Sequence, residues 1–228
     1  MPSTRPCCPS SAPAPTLRSP ISPRSTPRVH ANADLGIVIL AGGEATRLPG
    51  KLAKPAGAVP LLVHVYGNLA PAGRSVYLSL KEPLPPALAQ PLAACTQVYD
   101  EQRRRGPVGG LAATFSAMRE RYAFVCAGDA PFVGVAHLER LLDAWREGDQ
   151  AVVPVRVREG REQWEPLAAL YDAPAFARAA EDVLRDGRGS MREVIERLTS
   201  RLLPMEDETV FTNVNTPAEY AAFVERLR

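Results

Sequence analysis

The densest chemistry in the chain lies in one short loop. An apolar run, Gly36-Ile37-Val38-Ile39-Leu40, passes directly into Ala41-Gly42-Gly43-Glu44-Ala45-Thr46-Arg47-Leu48-Pro49-Gly50-Lys51. Adjacent glycines let the backbone approach a ligand with no Cβ in the way. Their N–H groups can face phosphate oxygens as an anion nest. Arg47 and Lys51 bring a planar cationic fork and a mobile point charge to the same loop. Together Leu40, Ala41, Gly42, Gly43, Arg47 and Lys51 read as a triphosphate cradle. This loop alone leaves a second reading open, a tight turn with solvated charges. Two other phosphate loops are absent: there is no GxGxxG, and Gly43 to Gly50 is too long for GxxxxGK[ST], with Leu52 after Lys51.

Other candidates also follow apolar runs. Asp129 comes after Tyr122–Cys126 and precedes Ala130-Pro131-Phe132. A carboxylate leaving a strand at its C-terminal end faces the ligand crevice of an open α/β sheet. It is a hard oxygen donor of the kind Mg²⁺ takes, one or two at a time, together with substrate phosphates. The competing role is an Asx cap of the next turn. Asp100 ends Thr96–Tyr99, and Gly106-Pro107-Val108-Gly109-Gly110 opens a helix after Arg103-Arg104-Arg105, a triplet read as solvated charge. Asn213 and Asn215 offer amides that both donate and accept, although Asn215 beside Thr216-Pro217 also suits turn chemistry. Cys95, Cys126, His64 and His137 are scattered, as no zinc site would have them, and read as packing or surface residues. Trp164 reads as a core residue. No Ser–His or Cys–His pair suggests a protein nucleophile.

These loops require strands to hold them. Apolar runs at 36–40, 75–80, 96–99, 122–126, 151–155 and 167–171 alternate with helical stripes. Val108, Leu111, Ala112, Phe115 and Met118 form one stripe, and Leu138, Leu141, Leu142 and Trp145 a second. Ala218, Ala221, Phe223 and Val224 form a third, entered by Thr216 as N-cap and Pro217 in the first turn. Strands alternating with helices predict a Rossmann-like three-layer α/β/α domain with a mostly parallel sheet over residues 34–228.

Residues 1–33 differ. They hold eight Pro, six Ser and four Arg, with no acid and no Lys. That composition offers too little apolar surface to offset ordering entropy, so a disordered leader is expected. The remainder carries 23 basic and 25 acidic residues, so the net charge of +2 belongs to the leader. Neither nucleic acid nor a membrane span is suggested as a partner. A reducing, cytoplasmic setting follows from the cysteine usage.

LAGGEATRLPGK resembles the LAGG-x-S/A-x-R-x-x-x-K signature of the MobA-like nucleotidyltransferases, which include molybdenum cofactor guanylyltransferases. VYDEQRRRGPVGGLAA, FVCAGDAPFV, EPLAALY and FTNVNTPAEY are similar, in order, to four further family segments, so the resemblance spans residues 35–224. It departs at Ala45, at Gly57-Ala58-Val59-Pro60-Leu61 without the usual lysine, at Gly128 where Cys is common, and at VYLSLK without an Asn. Lys54, three residues beyond Lys51, is an alternative for the phosphate lysine.

The resemblance implies a nucleotide-diphospho-sugar transferase-like fold and Mg²⁺-dependent transfer of GMP from GTP to molybdopterin. Arg47, Lys51 and Asp129 would be catalytic, with Asp129 holding Mg²⁺. Leu40, Ala41, Gly42, Gly43, Lys51, Lys54, Asp100, Gly106, Pro107 and Gly110 would hold the nucleotide. Asn213 and Asn215 would meet the pterin, and Ser190 and Arg192, in a flexible turn at 187–192, its phosphate; lining the pterin pocket is the alternative to a core place for Trp164. Transient contact with molybdopterin-delivering proteins and recipient apo-molybdoenzymes is also implied. Cytidylyl transfer to molybdopterin, transfer to a sugar phosphate, and a non-catalytic nucleotide-binding or chaperone module are the alternatives.

Overall fold

The computed structural model describes residues 34–42, 47–100, 106–158, 160–187 and 189–227. The leader at 1–33, Gly43 and the triplet Arg103–Arg105 lie outside the described residues.

The first strand, β1 (Leu35–Leu40), is apolar throughout because helices cover both its faces. Ile37 and Ile39 face one layer, with Leu62, Val65 and Leu69 of α1 (Leu61–Leu69) and Leu138 and Leu141 of α4 (Val135–Ala144). Val38 faces the other layer. There it joins Val108, Leu111 and Phe115 of α3 (Gly106–Ala117), Phe176 and Val183 of α5 (Ala173–Arg185), and Val194 and Ile195 of α6 (Met191–Glu196). A short α2 (Pro86–Ala89) adds Leu88 to the first layer. Phe124, Tyr171 and Phe176 are among the largest fully buried side chains. Burying each stabilises the fold by roughly 1.5–3 kcal/mol.

The remaining strands are β2 (Pro55–Ala56), β3 (Val59–Pro60), β4 (Val76–Leu80), β5 (Thr96–Tyr99), β6 (Tyr122–Ala127), β7 (Ala151–Arg158), β8 (Arg161–Trp164), β9 (Ala168–Asp172) and β10 (Ser200–Pro204). The main sheet runs β10-β7-β9-β6-β1-β4-β5, with β8 also paired to β7. β1, β4, β5 and β6 are mutually parallel, as expected. β9 is antiparallel to both β6 and β7, and β8 is antiparallel to β7. The reason is connection length: β7 turns back through Gly160 (φ 73°) without a crossover helix, so the chain reverses.

The parallel strands end together. Leu40 lies opposite both Ala127 and Ser79, and Leu80 opposite Tyr99. The loops after β1, β4, β5 and β6 therefore open on one edge, where open α/β sheets bind ligands.

Two further features pack beside the first of these loops. The hairpin β2–β3 turns at Gly57 (φ 67°), a left-handed position that favours glycine. The last helix, α7 (Pro217–Arg226), begins as its sequence predicts, with Thr216 accepting the Glu219 N–H and Pro217 in the first turn. A separate small core of Leu48, Ala56, Leu61, Val214 and Phe223 ties the first loop, the hairpin, α1 and α7 together.

Candidate active site

Asp129 is positioned by backbone contacts rather than by a helix. The Gly128 N–H donates to the Leu40 carbonyl at 2.8 Å, and the Ala130 N–H to the Ala127 carbonyl at 3.2 Å. A Cβ at Gly128 would sit 3.0 Å from both the Leu40 oxygen and Leu62 Cδ1, so the chain passes close over β1 there. On the far side, the Val214 N–H donates to the Asp129 carbonyl at 2.9 Å and clips the C-terminal segment to this loop.

The side chains then converge. The Lys51 ammonium donates to Asp129 Oδ2 and, at 2.7 Å, to Asn215 Oδ1. Lys51 and Asp129 side chains are each only 13% exposed, so the charges meet with little water between them. The lysine is carried by a one-turn 3-10 helix, Lys51–Ala53, entered at Gly50 with φ 65°. Asp129 therefore spends its carboxylate on Lys51 across 78 residues of sequence, and the helix-capping role at the C-terminal segment falls to Thr216 instead of Asn215.

Asn215 is itself held by its neighbour. The Glu219 carboxylate accepts the backbone N–H groups of Asn215 (2.8 Å) and Thr216 (2.9 Å). The Asn215 N–H is the chief reason that the Glu219 carboxyl titrates below its ordinary range, and the Arg47 guanidinium adds to the effect. Arg47, exposed on the loop, thus shares the electrostatic neighbourhood of Asn215. Asn213 is half-buried one residue before the buried Val214.

Lys54 points elsewhere. It is extended (ψ 147°), as a residue before proline is expected to be. Its ammonium lies 5.8 Å from the centroid of the Tyr220 ring, whose hydroxyl donates to the Pro55 carbonyl at 2.6 Å. Tyr220 and Glu219 escaped sequence reading because their spacing shows only an amphipathic helix. The capping-box spacing Thr216–Glu219 was the available signal.

The glycines divide. A Cβ on Gly42 would stand 3.0 Å from Lys81 N and Lys81 Cγ, so this glycine lets the loop lie against the exit of β4. A Cβ on Gly110 would stand 2.9 Å from Ser79 Oγ, so this one lets α3 pack on the sheet. Gly106 (φ 67°) opens α3, exposed, with Pro107 half-buried after it. Leu40 and Ala41 are half-buried at the edge, the Ala41 N–H donating to the Ser79 carbonyl at 2.9 Å.

Asp100 lies at the opposite end of the crevice, after β5. It is 6% exposed, and its Oδ2 has no hydrogen-bond partner among the described residues. A buried carboxylate oxygen without a donor is costly unless a ligand supplies one.

Ser190 and Arg192 are not in a flexible turn. Ser190 is the N-cap of α6, its N–H donating to the Glu193 carboxylate at 3.3 Å, and Arg192 stands in the first turn of that helix. The capping sequence Ser-x-x-Glu explains the order. Arg192 pairs with Glu196 at 2.9 Å and lies over the Trp164 ring, 4.5 Å from its centroid. Trp164, expected in the core, is half-buried.

The cysteines and histidines pack, as their scatter suggests. Cys95 and Cys126 are buried and free; burial pushes the Cys95 thiol up to about 11 and Cys126 higher still, with Asp129 adding to the latter. His137 is buried against the Ala168 carbonyl at 2.8 Å, and burial lowers its pKa. His64 meets the Phe223 ring edge-on, with its Nε2 3.2 Å from the Pro131 carbonyl. No group of three or more His, Cys, Asp or Glu able to hold a metal occurs among the described residues. Nor is any described helix long and apolar enough to cross a membrane.

Comparison with known proteins agrees with this fold. The chain is 30% identical over 196 residues to a probable molybdenum cofactor guanylyltransferase of Mycolicibacterium paratuberculosis, covering 82% of this chain and 94% of that one. A protein of the same name from Methanosarcina acetivorans is 28% identical over 204 residues, covering 82% and 88%. Among solved structures, molybdopterin-guanine dinucleotide biosynthesis protein A from Archaeoglobus fulgidus shares the fold, with a TM-score of 0.68 at 23% identity over 84% of this chain and 97% of that one. A 2-C-methyl-D-erythritol 4-phosphate cytidylyltransferase from Thermus thermophilus shares it too, with a TM-score of 0.62 at 16% identity over 85% and 98%. Residues 37–202 match the MobA-like NTP transferase domain, and with the crevice built as described the chain belongs to that family of nucleotidyltransferases.

Proposed function

We propose that this protein is a molybdenum cofactor guanylyltransferase, which transfers GMP from GTP to the terminal phosphate of molybdopterin and releases pyrophosphate. One observation carries the reading. Lys51, Asp129 and Asn215, drawn from three segments that resemble family motifs, meet at one point although 164 positions separate the first from the last. The names of the relatives support the choice of substrates.

In this reaction an oxygen of the acceptor phosphate attacks the α-phosphorus of GTP. A new P–O bond forms, the bond to the β-phosphate oxygen breaks, and pyrophosphate carries away the electron pair. No protein nucleophile is needed. Catalysis is positioning together with neutralisation of charge on the phosphates.

The residues fit those tasks. Gly42 and the loop backbone approach the triphosphate, while Arg47 and Lys51 supply positive charge near the leaving group. Asp100, buried with an oxygen unpartnered among the described residues, takes N–H or O–H donors from the base or ribose. Gly106 and Pro107 open α3, where a Cβ on Gly106 would stand 3.8 Å from the Gly189 carbonyl oxygen. Asn215 and Asn213 offer amide edges to the acceptor.

Asp129 would hold Mg²⁺. The test of fit is that its carboxylate, at the crevice and only 13% exposed, already binds a cation, the Lys51 ammonium. Bound there with substrate phosphates, Mg²⁺ would neutralise their charge. Lys51, with a flexible four-carbon stem, can then turn from Asp129 to the phosphates.

The cellular setting proposed is the cytoplasm, where GTP is available and thiols stay reduced. The experiment is pyrophosphate release with each of the four ribonucleoside triphosphates, with and without molybdopterin. Release that needs both GTP and molybdopterin supports the proposal. Release with CTP alone among the four, or with a sugar phosphate in place of molybdopterin, replaces it.

A further inference from the structure

The crevice has two sides, and its second side carries an aromatic face that the reaction as described does not use. β8 and β9 occupy one lane along β7: Ala151 and Val152 pair with Tyr171 and Leu170, then Val155 pairs with Trp164. The same lane borders β6, where Phe124 lies opposite Leu170, Cys126 opposite Ala168, and the Ala127 N–H donates to the Leu167 carbonyl. Trp164, opposite Val155, therefore stands level with Ala127, the last residue of β6, two positions before Asp129. Asp100 is on the other side of β6, beyond β1 and β4.

The mounting of Trp164 is firm. The next residue, Glu165, donates its N–H to the Pro154 carbonyl at 2.9 Å and accepts the Ala168 N–H at 3.2 Å. Its carboxylate pairs with Arg156 at 2.6 Å, both side chains being largely buried, and the Arg156 guanidinium also lies over the Phe211 ring at 5.9 Å. Below, the indole packs against the core layer that contains Val153, Tyr171 and Phe176. Above, the planar Arg192 guanidinium covers it at 4.5 Å. Arg192 is exposed, and its ion pair with Glu196 is a surface pair within the same helix. Such contacts are weak, so a flat ligand can take the place of the guanidinium at small cost.

We propose that Trp164 is a specificity-determining residue for the acceptor. Its indole is the stacking face for a planar heterocycle of pterin type, and Arg192, on leaving the ring, turns to an anionic group of the same molecule. The proposal rests on the acceptor named above. It follows from the arrangement: the nucleotide, held toward Asp100, leaves only the β9–β7–β8 side for a nucleophile that must approach the α-phosphorus opposite the departing pyrophosphate. A rigid, half-buried aromatic there suits a flat ring, because stacking recognises the π-face and costs little ordering.

The test is a steady-state comparison of the parent with Trp164→Ala, Trp164→Phe and Arg192→Ala, varying molybdopterin and GTP separately. Trp164→Ala should raise KM for molybdopterin about tenfold or more and leave KM for GTP within about twofold. Trp164→Phe should recover most of the loss, since an aromatic face is retained, and Arg192→Ala should raise only the acceptor KM. A purely structural role would move kcat or both KM values together. An unchanged molybdopterin KM in Trp164→Ala, or a rise confined to GTP, overturns the proposal while leaving guanylyl transfer standing. No transfer to molybdopterin by the parent overturns both.

Discussion

The Lys51 ammonium and the Asp129 carboxylate neutralise each other across 78 residues, with Asn215 as the third member of the contact. Any divalent ion that takes Asp129 must displace this lysine. Binding of metal alone is therefore opposed, and binding of metal with a triphosphate is favoured, because the phosphates give Lys51 a new partner. We expect Lys51→Ala to bind Mn²⁺ without nucleotide at least about threefold more tightly than the parent, since the carboxylate is then always competent. Electron paramagnetic resonance titration of free Mn²⁺ measures this. Equal or weaker binding would show that Asp129 is not the metal ligand.

The two lysines should separate in catalysis. Lys51→Ala should lower kcat/KM for GTP by about 10- to 100-fold, the loss expected for a hydrogen bond to a charged group. Lys54→Ala should cost about threefold or less, since Lys54 faces Tyr220 and not Asp129. Measurement at fixed Mg²⁺ and salt decides between them. A larger loss for Lys54 would place the phosphates further along the loop.

Asp129→Asn should keep the fold and lose about 100- to 1,000-fold in kcat, the cost of removing one key electrostatic group. Asn215 still accepts from Lys51, whose stem can reach water, so the melting temperature should fall by only a few degrees. Turnover within tenfold of the parent would contradict the role.

Glu219 gives a pH signature. Its folded-state carboxyl titrates below its ordinary value of 4.5, chiefly through the Asn215 N–H. A lowered folded pKa stabilises the fold above the unfolded value and loses that contribution as pH falls through the folded one. The melting temperature of the parent should exceed that of Glu219→Gln at pH 7, and the gap should close as pH drops below about 4.5. A gap that is constant with pH would mean that the carboxylate charge does not hold Asn215.

Deleting residues 1–33 should leave turnover unchanged. Every described site residue stands at position 40 or later, and the family match begins at 37. A tenfold loss of kcat/KM in the truncated protein would show that the leader contributes to the site.

Much of the frame was legible because its signals are local. Gly36–Leu40 and Tyr122–Cys126 are unbroken apolar runs, and the Thr216-Pro217 start of α7 is a local capping pattern. The antiparallel β9 was not legible, since Leu167–Tyr171 reads the same in either direction and only the β7–β8 turn reverses it. Nor was α5: its start depends on Asp172, which caps it through the Ala175 N–H and pairs with Arg121 from a distant segment. In the site, each motif singled out its own residue, but the meeting of Lys51, Asp129 and Asn215 needs the small core around Leu61, Val214 and Phe223. For Trp164 the sequence left two readings open, core residue and pterin-pocket lining, because an isolated tryptophan carries no sign of the Arg192 that covers it.

The most direct measurement follows the phosphate itself. The full-length protein is incubated with Mg²⁺, molybdopterin and GTP labelled at either the α- or the γ-phosphate, and the pterin product is isolated. We expect α-label in the product and γ-label only in pyrophosphate, with labelled CTP giving about a hundredth of the transfer or less. No α-label in the pterin, or preferential transfer from CTP, would contradict guanylyl transfer to molybdopterin.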